Sequence, residues 1–141
     1  MDHCTDGELI ADELLEKGFP VFIGPTLGHK SKIELANKSF TTPGVLNRAG
    51  LLVSIITDAP VIPLRYLPMC AGLAVNSGLD IHEAWKTITI NPARSLGVED
   101  RVGSLEVGKD ADVVIWTADP LSKIGGDAYI TIINGQIVYR R

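Results

Sequence analysis

Two short, uninterrupted apolar runs constrain the fold more than any other feature of this sequence. Residues 20–24 read PVFIG and residues 51–57 read LLVSIIT, and helix-like stretches lie before, between and after them. A strand without polar alternation is typical of a sheet covered on both faces, as parallel sheets are. Because these strands alternate with helices, the sequence predicts an α/β fold with a parallel sheet inside and helices outside.

The helix-like stretches carry recognisable spacing and end signals. Residues 6–17 have apolar side chains at helical spacing and stop at Gly18, and residues 31–37 predict a short helix. Pro43 lies near the start of another helical turn or two, and residues 64–77 form a Leu- and Ala-rich stretch that predicts a longer helix.

Two further helices are predicted from their first residues. Asp80 followed by Glu83 resembles a capping box. Asn91 and Pro92 have the residue types of an N-cap and first helical position, and Gly97 would end that helix.

The sequence pattern changes at about residue 100. Short β-rich runs then alternate with Gly, Asp and Pro, and Asn134-Gly135 lies between two of them. An Asn-Gly pair flanked in this way is the strongest short-range signal for a β-hairpin. We therefore predict two units, an α/β part over residues 1–99 and a small antiparallel β part over residues 100–141.

Composition excludes several classes of protein. The chain has 141 residues, 45% of them hydrophobic and 21% charged, with a net charge of −4. An acidic chain without a basic stripe is not expected to bind nucleic acid. Its apolar runs are too short to cross a bilayer, and two widely separated cysteines do not form a disulfide framework. These features predict a cytoplasmic protein without a membrane partner.

Three side chains are candidates for a functional site. His3 is either a solvated residue near a terminus or a functional histidine, and Asp58 is either a turn residue or a catalytic carboxylate after a barrel strand. If His3 and Asp58 each end a parallel strand, both side chains point into the same mouth of a barrel and could share a metal or a water. His29, on the loop after PVFIG, is a candidate substrate contact; its stretch GPTLGHKSK does not match a phosphate loop.

The sequence contains the stretches HCTDG, VFIGPTL, ITDAPVIPLRYLP, TITINPARSLGVEDRVGSLEVGKDADVVIW and INGQIVY. Together they resemble the C-terminal part of the metal-dependent amidohydrolase superfamily, especially imidazolonepropionase-like and Xaa-Pro-dipeptidase-like members. The resemblance implies strands 6–8 of a (β/α)₈ TIM barrel and part of a composite β-sandwich. It makes His3 a metal ligand ending the sixth strand. It makes Asp58 a metal contact that ends the eighth strand and moves the proton of the attacking water.

The resemblance also implies an activity. The parent enzyme would hydrolyse a C–N bond of a small amide or peptide-like substrate through water activated by a divalent metal, with zinc the expected ion. The family's H-x-H pair and the ligands of its fourth and fifth strands are absent, and Ala59 stands where close relatives often have histidine. Alone, this chain is therefore expected to be inactive or nearly so. It is also expected either to form a homo-oligomer that covers its open edges or to be only marginally stable. The alternative is a non-catalytic fragment that only associates with itself or with an N-terminal half.

Overall fold

Two separate sheets organise the structure, a computed structural model that describes residues 1–30 and 32–141. The first sheet pairs β1 (Val21–Ile23) with β2 (Val53–Ile55) in parallel, with Val21 opposite Val53. The parallel pairing predicted from the two apolar runs is confirmed. Each regular strand is only three residues long, shorter than the run that predicted it.

The first four residues lie along the other side of β1. The Phe22 N–H donates to the Met1 carbonyl at 2.8 Å, and the Cys4 N–H donates to the Phe22 carbonyl at 3.0 Å. His3 itself lies in a bend of this segment rather than in a regular strand. Its φ of 52° takes the backbone out of the extended region, so the pairing with β1 is interrupted there.

Helices surround this parallel pair. The residues predicted as a helix over 31–37 contain only a single 3₁₀ turn, and Ser31 lies outside the described residues. Gly18 and Gly97 end their helices in the left-handed conformation, as predicted. No helix in the described part of the chain is long and apolar enough to cross a membrane. The helices are α1 (Ala11–Lys17), α2 (Thr42–Arg48), α3 (Leu67–Asn76), α4 (Ile81–Thr87) and α5 (Ile90–Leu96), with 3₁₀ turns at Gly7–Ile10, Ile33–Leu35 and Leu64–Tyr66.

The start of α5 differs from the prediction. Thr89 occupies the N-cap position and the helix begins at Ile90, so Asn91 and Pro92 already lie inside its first turn. The Asn91 side chain points inward, where its Nδ2 donates to the Val53 carbonyl at 2.8 Å. A buried strand carbonyl needs a hydrogen-bond donor. Because the Asn91 side chain supplies that donor, it does not cap the helix.

At the start of α4, one half of the predicted capping box is formed and the other is not. The Asp80 carboxylate accepts hydrogen bonds from the N–H groups of His82 at 2.8 Å and Glu83 at 3.1 Å, which confirms its N-cap role. The Glu83 side chain does not complete a capping box. It accepts instead from Lys86 at 2.6 Å and from Asn47 at 3.3 Å, because both donors lie within its reach.

Two apolar clusters form the core. In the first, Leu14 of α1 and Leu46 of α2 pack with β1 and with Val53 of β2. In the second, Ile55 packs with side chains of α3 and with Leu121, which belongs to the C-terminal part of the chain. The helices therefore cover the strands, and Leu121 connects the two predicted units by direct packing.

The second sheet is antiparallel, with the order β3 (Val113–Trp116), β4 (Ala128–Ile133) and β5 (Gln136–Arg140). Asn134 and Gly135 join β4 to β5 with φ values of 48° and 77°. Positive φ at both loop residues is what a two-residue type I′ hairpin requires. The predicted hairpin is confirmed.

Candidate functional site

The structure brings His3 and Asp58 together. Nε2 of His3 lies 3.1 Å from Oδ2 of Asp58, although 54 residues separate them in the chain. His3 lies on the segment beside β1, and Asp58 follows β2. The contact forms because the carboxyl ends of neighbouring parallel elements meet at the same edge of a sheet.

Both residues adopt an unusual backbone conformation. His3 has φ of 52° and Asp58 has φ of 53°, and the remaining described non-glycine residue with positive φ is Asn134 of the hairpin. Residues other than glycine rarely adopt the left-handed region, and such residues cluster at functional sites. Here each bend turns a side chain out of the strand direction and toward the other.

Asp2 belongs to the same cluster and was missed in the sequence analysis. Its Oδ2 lies 3.2 Å from Nδ1 of His3, and its Oδ1 accepts the His3 backbone N–H at 2.9 Å. The imidazole is therefore held at both nitrogens, with Asp2 on one side and Asp58 on the other. The available signal was the adjacency of Asp2 and His3, but adjacency alone does not show that a side chain folds back onto its neighbour.

The two carboxylates change the acidity of the ring. The hydrogen bond to Asp58 is the largest influence and raises the pKa of His3 above its usual value; the nearby Asp2 charge acts in the same direction, while partial burial opposes both. Both His3 and Asp58 remain substantially exposed, at 46% and 38% of their side-chain surface. The pair is thus accessible to a ligand from solvent.

The donor set of this pair fits part of a metal site. Imidazole nitrogen and carboxylate oxygen are both ligands of zinc, and the Asp2–His3 contact resembles the carboxylate that commonly orients a metal-binding histidine. A catalytic zinc usually has three protein ligands and a water. Among residues 1–30 and 32–141, no group of three histidine, cysteine or acidic side chains could hold a metal ion. His3 and Asp58 therefore fit as two ligands of a larger set.

His29 is not shown to join this pair. It is exposed on the loop after β1, and its backbone carbonyl accepts a hydrogen bond from Lys38 at 3.4 Å. Cys4, next to His3, is 4% exposed, and burial raises the pKa of its thiol. A buried protonated thiol is a packing residue rather than a metal ligand.

Comparisons with known proteins agree with the mixed α/β fold. The family model described as "Amidohydrolase family" matches residues 3–138. An imidazolonepropionase of Thermoplasma acidophilum is 33% identical over 150 residues, covering 100% of this chain and 34% of that protein. A crystal structure of an amidohydrolase from Thermotoga maritima superposes with a TM-score of 0.95 at 38% identity, covering 99% of this chain and 36% of that one.

A third relative carries a metal. An adenosine deaminase from Xanthomonas campestris, solved with bound zinc, has a TM-score of 0.71 at 26% identity, covering 99% of this chain and 36% of that one. The chain belongs to the amidohydrolase family, since the family model matches nearly all of it. It spans about a third of the length of these relatives.

Proposed function

We propose that this chain contributes the carboxyl-terminal part of a metal-dependent hydrolase that cleaves a C–N bond in a small amide or peptide-like substrate. The carrying observation is the 3.1 Å contact between His3 and Asp58. The resemblance to an imidazolonepropionase supports a cyclic amide as one class of substrate. The family match supports hydrolytic chemistry in general.

Residues 1–99 are proposed to supply strands 6–8 of a (β/α)₈ barrel, and residues 100–141 part of a β-sandwich. The Thermotoga superposition supports this arrangement, because it extends over 99% of the chain with a TM-score of 0.95. Under this proposal His3 and Asp58 lie at the carboxyl ends of barrel strands, where enzymes of this architecture place their chemistry.

Each side chain has a defined role in the proposal. When bound, a divalent metal such as zinc would polarise the substrate carbonyl and lower the pKa of water. His3 would hold the metal through Nε2, while Asp2 keeps the ring oriented through Nδ1. Asp58 would share in holding the metal and take a proton at its carboxylate, then return that proton to the leaving nitrogen.

Exposed apolar side chains support the proposed homo-oligomer. On β5, Ile137, Val138 and Tyr139 are each about half exposed. Uncovered strands of this kind pair or pack with other chains. Light scattering on the purified chain tests the proposal. We expect a mass above that of one chain, and a stable monomer would contradict it.

The metal proposal is tested by titrating the chelator-treated chain with Co²⁺ while following its NMR spectrum. Signals of His3 and of residues around Asp58 should broaden before those of any other site. His3→Ala and Asp58→Ala should each abolish this broadening. His82→Ala is the matched control, because His82 is an exposed histidine in the first turn of α4.

Hydrolysis of a cyclic amide and of a short peptide-like amide is then assayed with Zn²⁺ present. We expect little or no turnover from this chain, because it supplies two ligands of the set. If Co²⁺ broadened His82 as strongly as His3, or if His3→Ala left the titration unchanged, the assignment of the metal pair would be wrong.

A further inference from the structure

A cavity of about 340 Å³ lies between α3 and residues 117–127, the loop that joins β3 to β4. We call it the α3 cavity. Most of its surface is apolar and comes from side chains that include Tyr66, Met69, Leu73, Trp116 and Ile124. Small-molecule sites are cavities of about 300–1,000 Å³ with largely apolar walls, so this one is large enough for a small ligand.

The loop that forms one wall is closed at its base and fixed to α3. The Thr117 N–H donates to the Asp127 carbonyl at 2.9 Å, and the Asp127 N–H donates to the Thr117 hydroxyl at 3.0 Å. Leu121, in the middle of the loop, is buried against side chains of α3. Because both walls are packed elements, the α3 cavity is formed before any ligand binds.

The walls of the α3 cavity leave large apolar side chains uncovered. Tyr66 and Met69 are exposed, Ile124 is fully exposed, and Trp116 is half-buried. A contiguous apolar surface of this kind marks a binding site more often than a free surface. Because Tyr66 and Trp116 present aromatic rings, a flat aromatic ligand would pack well against them.

Two cations line the same cavity, Arg65 and Lys123. Among residues 1–30 and 32–141, no carboxylate oxygen lies within 4 Å of a side-chain nitrogen of either one. Asp127 also lines the cavity, but its Oδ2 lies 2.6 Å from Nη1 of Arg141. Cζ of Arg65 lies 5.6 Å from the centre of the Tyr66 ring, so one cation stands beside the aromatic wall.

We propose that the α3 cavity binds a small aromatic carboxylate. The ring of the ligand packs against Tyr66 and Trp116, and its carboxylate lies against Arg65 and Lys123. The inference goes beyond the proposed hydrolysis, which uses none of these residues. Arg65 and Tyr66 lie in the 3₁₀ turn between Asp58 and α3, so a ligand here contacts the connection that leads away from Asp58.

The test titrates the chain with 2-naphthoate and, separately, with its neutral isostere 2-naphthamide and with acetate, following NMR signals. 2-Naphthoate should shift the indole N–H signal of Trp116 and the backbone signals of Leu73 and Gly126 saturably. 2-Naphthamide should bind more weakly because it lacks the charge, and acetate should not saturate because it lacks the ring. Trp85 is the internal reference, because it lines a neighbouring cavity and not this one.

Substitutions then test the two cations. Arg65→Met and Lys123→Met should each weaken 2-naphthoate binding by about twofold to fivefold, the range expected for a solvent-exposed ion pair, and leave 2-naphthamide binding unchanged. Both side chains are exposed, so neither replacement removes a buried contact. Lys32→Met is the matched control, because Lys32 is an exposed lysine that does not line the cavity.

Equal binding of 2-naphthoate and 2-naphthamide would overturn the proposal, as would unchanged 2-naphthoate binding in the double variant Arg65→Met/Lys123→Met. A shift of the Trp85 signal equal to that of Trp116 would place the ligand in the neighbouring cavity and overturn the site. An equal loss in Lys32→Met would also overturn it, because the effect would then be one of net charge. No metal is present in the titration, so none of these outcomes depends on the proposed hydrolysis.

Discussion

Replacing Asn91 by leucine tests how β2 is held in place. Asn91 is 4% exposed, and its Nδ2 donates to the carbonyl of fully buried Val53 at 2.8 Å. Leucine has a similar size and shape but no donor, so Asn91→Leu removes this hydrogen bond without opening a large cavity. Val53 lies five residues before Asp58, so this bond anchors the strand that leads to the candidate site.

The magnitude follows from the carbonyl that loses its partner. A buried polar group left without a hydrogen bond costs about 1–3 kcal/mol. For a chain of this size, each kcal/mol lowers Tm by about 4 °C. We therefore expect Asn91→Leu to lower Tm by about 4–12 °C.

Asn91→Asp adds a pH-dependent version of the same test. It places a carboxylate oxygen against the Val53 carbonyl in a buried position, so burial raises the pKa of the new carboxyl group. The variant should be most destabilised near neutral pH. The loss should shrink as the pH falls toward about 4, because a protonated carboxyl group can donate to the carbonyl.

Urea unfolding followed by circular dichroism measures both variants. Asn37→Leu is the matched control, since Asn37 is exposed and the chemical change is the same. It should change the free energy of unfolding by no more than about 0.5 kcal/mol. If Asn91→Leu were as mild as this control, the hydrogen bond to Val53 would not hold β2, and the reasoning would be refuted.

Two other substitutions test the contact between the two units and the cap of α4. Gly72→Ala should destabilise the chain by about 1–3 kcal/mol in thermal unfolding, because the added methyl group would collide with the backbone carbonyl of Leu121. Gly44→Ala should cost less, since its nearest neighbour is the movable end of Arg48, and equal losses would count against the argument. Asp80→Ala should destabilise the chain at pH 7, where the hydrogen bond from the Glu83 N–H holds the pKa of Asp80 below its usual value. That deficit should fade as the pH falls through this lowered pKa, and a deficit independent of pH would contradict the cap.

Much of the fold could be predicted because its causes are local. The uninterrupted apolar runs predicted the parallel pair β1 and β2, and Asn134-Gly135 predicted the β4–β5 hairpin. Gly18 and Gly97 predicted two helix ends. In each case the residue type itself restricts φ and ψ or requires burial, so neighbours along the chain are sufficient.

The details of the candidate site depended on contacts that local sequence does not specify. His3 was expected at the end of a strand but lies in a bend, and the same bend places it against Asp58. Asp2 was overlooked because its contact with Nδ1 of His3 depends on how the backbone folds there. Asn91 was predicted to cap a helix, but its side chain donates to the carbonyl of Val53, 38 residues earlier in the chain. Local sequence does not reveal that contact.

The sequence by itself determined which segments become buried strands, where helices end, and which family the chain resembles. Only the tertiary structure decided that His3 meets Asp58 and that the buried Lys38 donates to the Gly28 carbonyl. The physical reason is the range of the interactions involved. Backbone preferences and hydrophobic patterning act between near neighbours, whereas the environment of a charged side chain depends on elements that approach it only when the chain is folded.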